Sequence, residues 1–161
     1  MGFNRSVASR KMLESESDIK NAALGLLARR EHSMKELVTK LKSRCCDEDL
    51  LENILFGLQE NGYINDQRFV ESFLRQRVNQ GFGPKKIHFD MRGKGITAEM
   101  LDFAMQEQEI DWFELALETY RRKFRYEDNY DAKGYAKRIR YMMQRGFDSE
   151  QTRYAIDAKE E

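Results

Sequence analysis

The stretch QGFGPKKIHF, from Gln80 to Phe89, sets two glycines and a proline beside two lysines. Backbone N–H groups freed by glycine, with lysine alongside, hold anions well. The same residues also suit a junction between helices, with proline in the first helical turn. A phosphate loop needs G-x-x-x-x-G-K-[ST], and a dinucleotide loop needs G-x-G-x-x-G after a strand. Neither is present, Pro84 lacks an N–H, and a helical apolar pattern precedes the segment. The stretch therefore reads as an interhelical linker, with phosphate contact at Lys85 and Lys86 a secondary role.

Other chemistry is sparse. Cys45 and Cys46 are adjacent, a spacing that strains a bridge between them. With only His32 and His88 to add, and no C-x-x-C, no zinc site is expected. Glu107, Glu109, Asp111 and Glu114 lack the spacing of a calcium loop and read as a solvated helix start. No nucleophile stands beside a base. The chain reads as non-enzymatic, with no catalytic centre, cofactor or metal. Bases and aromatics do interleave: Phe73 with Arg75 and Arg77, Phe124 and Tyr126 among Arg121, Arg122, Lys123 and Arg125, and Tyr141 after Lys137, Arg138 and Arg140. Such groups hold phosphates and stack bases. Phe73 and Phe124 lie on apolar stripes and read as core; Tyr126, Tyr130 and Tyr141 stay open between core and surface.

The elements that would carry these residues are helical. Met34, Leu37, Val38 and Leu41 recur at i, i+3, i+4, i+7. Further stripes run through Leu50–Leu58, Phe69–Leu74 and Phe113–Phe124, and no sustained period of two occurs. Ser33 with Glu36 and Asp111 with Glu114 have capping-box spacing. Asp66, Thr97 and Asp148 read as caps of the next helices, and Gly83-Pro84 as the start of the Ile87 helix. The fold class is all-α.

The pattern repeats. KGITAEMLDFAM (Lys94–Met105) aligns with RGFDSEQTRYAI (Arg145–Ile156) at an offset of 51 residues, and HSMKELVTKL with FGPKKIHFDM at 50. Three three-helix units follow, at 19–64, 65–110 and 111–161, after a flexible leader at 1–18. Each is too small to bury much core alone, so neighbours are expected to share a seam, giving an elongated, curved array.

Net charge is zero, yet the blocks alternate: +4 over 28–46, −5 over 47–61, +5 over 75–96, −7 over 97–120, +6 over 121–147 and −3 thereafter. Second helices are thus basic and third helices acidic. Stacked units would align a basic strip made of Arg75, Arg77, Lys85, Lys86, Arg92, Lys94, Arg121, Arg122, Lys123, Arg125, Lys137, Arg138, Arg140 and Arg145. No run of about 18 apolar residues marks a membrane span, and no apolar secretory core opens the chain, so a cytoplasmic location is expected.

The segment GYINDQRFVESFLRQRVNQGFGPKKIHFDMRGKGI (Gly62–Ile96) resembles the signature of the RecX family, regulators of the RecA recombinase. The resemblance rests on Gly62-Tyr63-Ile64-Asn65-Asp66, Arg68-Phe69, Arg77, Gly81-Phe82-Gly83-Pro84-Lys85 and Lys94-Gly95-Ile96. ARREHSMKEL (Ala28–Leu37) is similar to the family's first unit, and the match spans about 19–157. Asn65 stands where the family has an acid, Asp90-Met91 where Glu-Leu is common, and Gly93 lies in that helix. The resemblance implies tandem three-helix repeats that bind in the groove of the RecA–DNA filament. It implies negative modulation: slowed filament extension and damped ATPase, strand exchange and co-protease activity. The expected partners are the RecA filament and, weakly and without sequence specificity, single- and double-stranded DNA; a monomer is expected. Two other classes fit the same charges: a stand-alone helical DNA-binding protein without RecA dependence, and a helical scaffold that binds only proteins. No helix carries the Asn, Gln and Arg set of a base-reading helix.

Overall fold

The computed structural model describes residues 11–125 and 129–158. The leader residues before 11, and Tyr126, lie outside them. Among the described residues are nine helices: α1 (Glu16–Arg29), α2 (Met34–Lys42), α3 (Glu48–Glu60), α4 (Asp66–Asn79), α5 (Pro84–Met91), α6 (Ala98–Glu107), α7 (Trp112–Phe124), α8 (Ala132–Gln144) and α9 (Ser149–Asp157). The chain is all-α, as the apolar spacing requires. It divides into two compact units, one ending at Phe69 and one beginning at Val70. Among the described residues no helix is long and apolar enough to cross a membrane.

In the first unit, Ile19 and Ala23 of α1, Leu37 and Leu41 of α2, and Leu51, Leu55 and Leu58 of α3 form one buried cluster. Full burial of such a side chain contributes about 1.5–3 kcal/mol. α1 begins at Glu16, capped by Ser15. The segment before it is docked from Lys11 on: Leu13 is buried, its N–H donates to the Arg44 carbonyl at 2.7 Å, and the Arg44 guanidinium donates to the Lys11 carbonyl. The capping box of Ser33 and Glu36 is formed.

One cap differs from expectation. Asn65, not Asp66, starts α4: its side chain accepts from the Arg68 N–H at 3.0 Å. The Asp66 carboxylate turns back to α2 and accepts from the Met34 N–H at 2.9 Å. Both side chains are able to cap, and the turn after Gly62 (φ +80°) aims the first at its own helix and the second at another. Arg68 completes the corner, pairing with Glu31 at 2.6 Å and donating to the Tyr63 carbonyl.

His32, buried just ahead of α2, has both ring nitrogens engaged. Nδ1 donates to the Arg30 carbonyl at 3.0 Å, and Nε2 lies 3.1 Å from the Lys40 ammonium, which donates to it. That arrangement requires a neutral ring. Burial, with Arg30 and Lys40 nearby, holds its pKa below the usual histidine value, although the Arg30 carbonyl and Glu36 act the other way. The unfolded chain therefore binds the extra proton more readily, and stability falls as pH drops below about 6.5. Urea midpoints between pH 8 and pH 5 are expected to decline less steeply in His32→Gln than in the parent; equal slopes would dismiss the effect.

In the second unit, Val70, Leu74, Ile87, Met91, Leu101 and Ala104 are buried around α4–α6. Ala116, Met142, Phe147 and Ala155 form a cluster across α7–α9, flanked by Leu115, Tyr120 and Tyr141. The repeat register holds in three dimensions. Leu37, Ile87 and Arg138 occupy equivalent positions and are all buried, as are Leu41, Met91 and Met142.

Candidate nucleic-acid interface

The segment that resembles a phosphate loop is a helix junction. Gly83 precedes Pro84 at the start of α5. Its N–H donates to the Arg145 carbonyl at 2.8 Å, and the Lys85 N–H to the Gly146 carbonyl at 3.0 Å. The amides a phosphate would use are thus occupied by the loop that leads into α9. Backbones approach closely here. A Cβ on Gly83 would stand 2.6 Å from the Phe147 nitrogen, and one on Gly146 (φ +99°) would stand 2.5 Å from the Lys86 nitrogen.

Around this junction the structure gathers cations and rings. Phe82 is half-buried and carries two guanidinium groups, Arg145 at 3.9 Å and Arg77 at 5.4 Å from its centroid. Arg145 also donates to the carbonyls of Gln80 and Gly81, so it clamps the turn. Thr119 Oγ1 donates to the same Gly81 carbonyl at 3.3 Å. Phe73 carries Arg77 at 4.8 Å and Lys94 at 5.5 Å; it is half-buried rather than core. Asp90 lies between Lys86 at 3.0 Å and Arg77 at 3.5 Å, so one acid offsets part of the charge. Phe89 projects from α5, 58% exposed, with Lys86 and Arg92 beside its ring. Arg77, Lys86, Arg92, Lys94 and Arg145 of the expected strip thus share one cluster of rings, while Lys85 is exposed on the same helix.

The remaining bases behave in three ways. Arg121, Arg122, Lys123, Arg125, Lys137 and Arg140 are exposed. The first three lie in the last turn of α7, where cations suit the helix dipole. Lys123 reaches over Tyr141 at 5.4 Å, linking α7 to α8. Arg75 sits instead on a hollow lined by Asp111, Glu114 and Glu118, so its field is met by acids.

Arg138 departs from the expected strip: it is buried, with 2% of its surface exposed. Its guanidinium lies 3.9 Å from the Tyr130 centroid and 4.7 Å from that of Phe124, and it donates to Tyr120 Oη and the Gly134 carbonyl. A side chain at the core position of α8, enclosed by rings, is unable to face a phosphate backbone. Burial pushes the Tyr120 hydroxyl pKa up, opposed by the hydrogen bond from Arg138. Tyr130 is partly exposed and stacks on Tyr135, whereas Tyr141 is half-buried edge-on to Phe124.

The residues weighed as metal ligands do not gather. Cys45 is buried in the first core and its neighbour Cys46 is exposed. His32 is engaged as described, and His88 Nε2 faces Asp102 at 3.0 Å across α5 and α6. Sequence reasoning overlooked Phe82 and Phe89. The signal for Phe89 lay in spacing: Lys85 and Phe89 stand four residues apart and so share one helical face, and Arg92 caps that helix.

Comparison with known proteins gives a consistent picture. Models of the first, second and third three-helix domains of RecX match residues 20–55, 65–105 and 109–156. The regulatory protein RecX of Vibrio cholerae serotype O1 (strain M66-2) is 38% identical over 141 residues, covering 88% of this chain and 93% of that one. That of Legionella pneumophila (strain Corby) is 36% identical over 128 residues, covering 80% and 85%. The crystal structure of RecX from Lactobacillus salivarius superposes with a TM-score of 0.72 at 26% identity, over 88% of this chain and 94% of that chain. Three domain models in tandem over most of the chain, with relatives of this similarity and length, establish that the chain belongs to the RecX family of regulatory proteins.

Proposed function

We propose that this protein is a negative modulator of RecA that binds in the groove of the RecA–DNA filament. There it hinders filament extension and damps ATPase, strand exchange and co-protease activity. It acts as a monomer in the cytoplasm and is not an enzyme. The observation that carries the reading is the set of exposed cations on and just after α5 and on α7 and α8, Lys85, Arg92, Arg121, Arg122, Lys123, Lys137 and Arg140, on a chain of zero net charge. Such cations neutralise phosphates without reading sequence, and their contribution falls with salt. The acidic third helices limit affinity for naked DNA and favour a partner that presents both DNA and basic protein surface.

Co-sedimentation with RecA filaments across a salt series tests this. Binding to filaments is expected to exceed binding to naked single- or double-stranded DNA, and both are expected to weaken as salt rises. Equal affinity for naked DNA and for filament would replace the reading with that of a stand-alone DNA-binding protein. Reversing charge at Arg121, Arg122 and Lys137 separates the partners: lost DNA binding with retained RecA binding assigns those cations to DNA.

A further inference from the structure

Phe89 is a large ring left in solvent by a helix whose other apolar residues, Ile87 and Met91, are buried. Its place in the repeat makes the exposure informative. The equivalent positions, Thr39 in the first repeat and Arg140 in the third, are exposed too. The site faces outward in every repeat, and only the second fills it with an aromatic. Burial therefore does not account for the ring. Charge surrounds it: Lys86 Nζ and the Arg92 guanidinium carbon lie 5.3 and 5.5 Å from its centroid, with Lys85 exposed one turn before. Both cations are within cation–π range of the ring, and the ring nonetheless stays 58% exposed. Beyond Arg92, Gly93 turns the chain with φ +78°.

A flat apolar face between cations a few ångströms away is the arrangement that holds an unpaired base with its phosphates. A duplex hides its base faces in the stack, and an exposed ring gains little from it. We infer that Phe89 is a stacking residue for a base of single-stranded nucleic acid, with Lys85, Lys86 and Arg92 holding the adjoining phosphates. The inference rests on the proposed DNA contact and narrows it to the single strand.

Fluorescence anisotropy of the full chain with a labelled oligothymidine and with a duplex of equal length tests it. Phe89→Ala is expected to lower affinity for the oligothymidine roughly 5- to 150-fold, the range for one stacked base. Duplex affinity is expected to stay within about twofold by the same reasoning. Because stacking releases no counterions, the salt slope of Phe89→Ala matches the parent's, while Arg92→Gln lowers that slope by about 0.7 for a single strand. Phe89→Leu, apolar but without a flat face, is expected to behave as Phe89→Ala. Unchanged oligothymidine binding in Phe89→Ala overturns the inference, as does an equal loss for duplex. Weakened RecA binding with unchanged oligothymidine binding also overturns it, assigning the ring to protein contact. A parent protein that binds neither nucleic acid overturns the DNA reading as well, which distinguishes the two failures.

Discussion

Arg138→Ala is expected to destabilise the second unit by about 3–4 kcal/mol, the cost of emptying a large buried site and leaving a hydrogen-bond partner unmet. The guanidinium ties the rings of Tyr120, Phe124 and Tyr130 to the Gly134 carbonyl of α8, so its loss opens a cavity among those three rings. Arg138→Lys should recover only part of this, because an ammonium neither stacks as a plane nor forks between Tyr120 and Gly134. Two residues on, Arg140 is exposed, and Arg140→Ala is expected to change stability by less than about 0.5 kcal/mol. The assay is denaturant unfolding beside DNA binding. Arg138→Ala should shift the unfolding midpoint and leave affinity intact while folded; Arg140→Ala should do the reverse. An Arg138→Ala midpoint equal to the parent's would refute the buried role.

The second large effect belongs to the paired glycines. In Gly83→Ala the added carbon meets backbone, not a flexible side chain, at Gly146 and Phe147. Overpacking of this kind costs about 3 kcal/mol. Gly146→Ala meets Lys86 and adds roughly 1–2 kcal/mol for its left-handed backbone. A fall in Tm of about 6–12 °C is expected for Gly83→Ala. Hydrogen-exchange protection should drop first in α5 and at the start of α9, where the Gly83 and Lys85 amides lose their acceptors. Gly57→Ala is the control: it lies inside α3 with open space around it, and alanine there is expected to be neutral or stabilising by up to about 1 kcal/mol. Equal behaviour of Gly83→Ala and Gly57→Ala would sink the close-approach argument.

The helices and most caps were legible because they depend on neighbours in sequence. Ser33, Thr97, Asp111 and Asp148 each accept from the backbone N–H three residues on, as their spacing implies. The long-range partners were not legible. Asp66 and Asn65 are equally good caps, and only the folded turn decides which serves α4. Arg138 looked like its neighbours Lys137 and Arg140 because composition alone places it among bases. The repeat held the answer, since Ile87 stands 51 residues earlier and is buried. The clamp by Arg145 was hidden for another reason: a side chain that donates to carbonyls of Gln80 and Gly81, some 65 residues away, leaves no periodic trace. Of the expected leader, residues 11–18 lie among the described ones, and there Leu13 is buried and Arg44 holds the backbone of Lys11 and Leu13, partners too distant in sequence for composition to show.

The bond from the Met34 N–H to the Asp66 carboxylate sets an order on synthesis. A nascent chain emerges N-terminus first at about 5–20 residues per second, so α1, α2 and α3 are all outside the ribosome before Asp66 is. Until then the first turn of α2 has Ser33 but lacks the acceptor supplied from the start of α4. The first repeat is thus finished by the second. A chain stalled just short of Asp66 would carry a repeat that is formed but loosely latched, and the 14 residues of α4 that close it follow within about 1–3 s of translation.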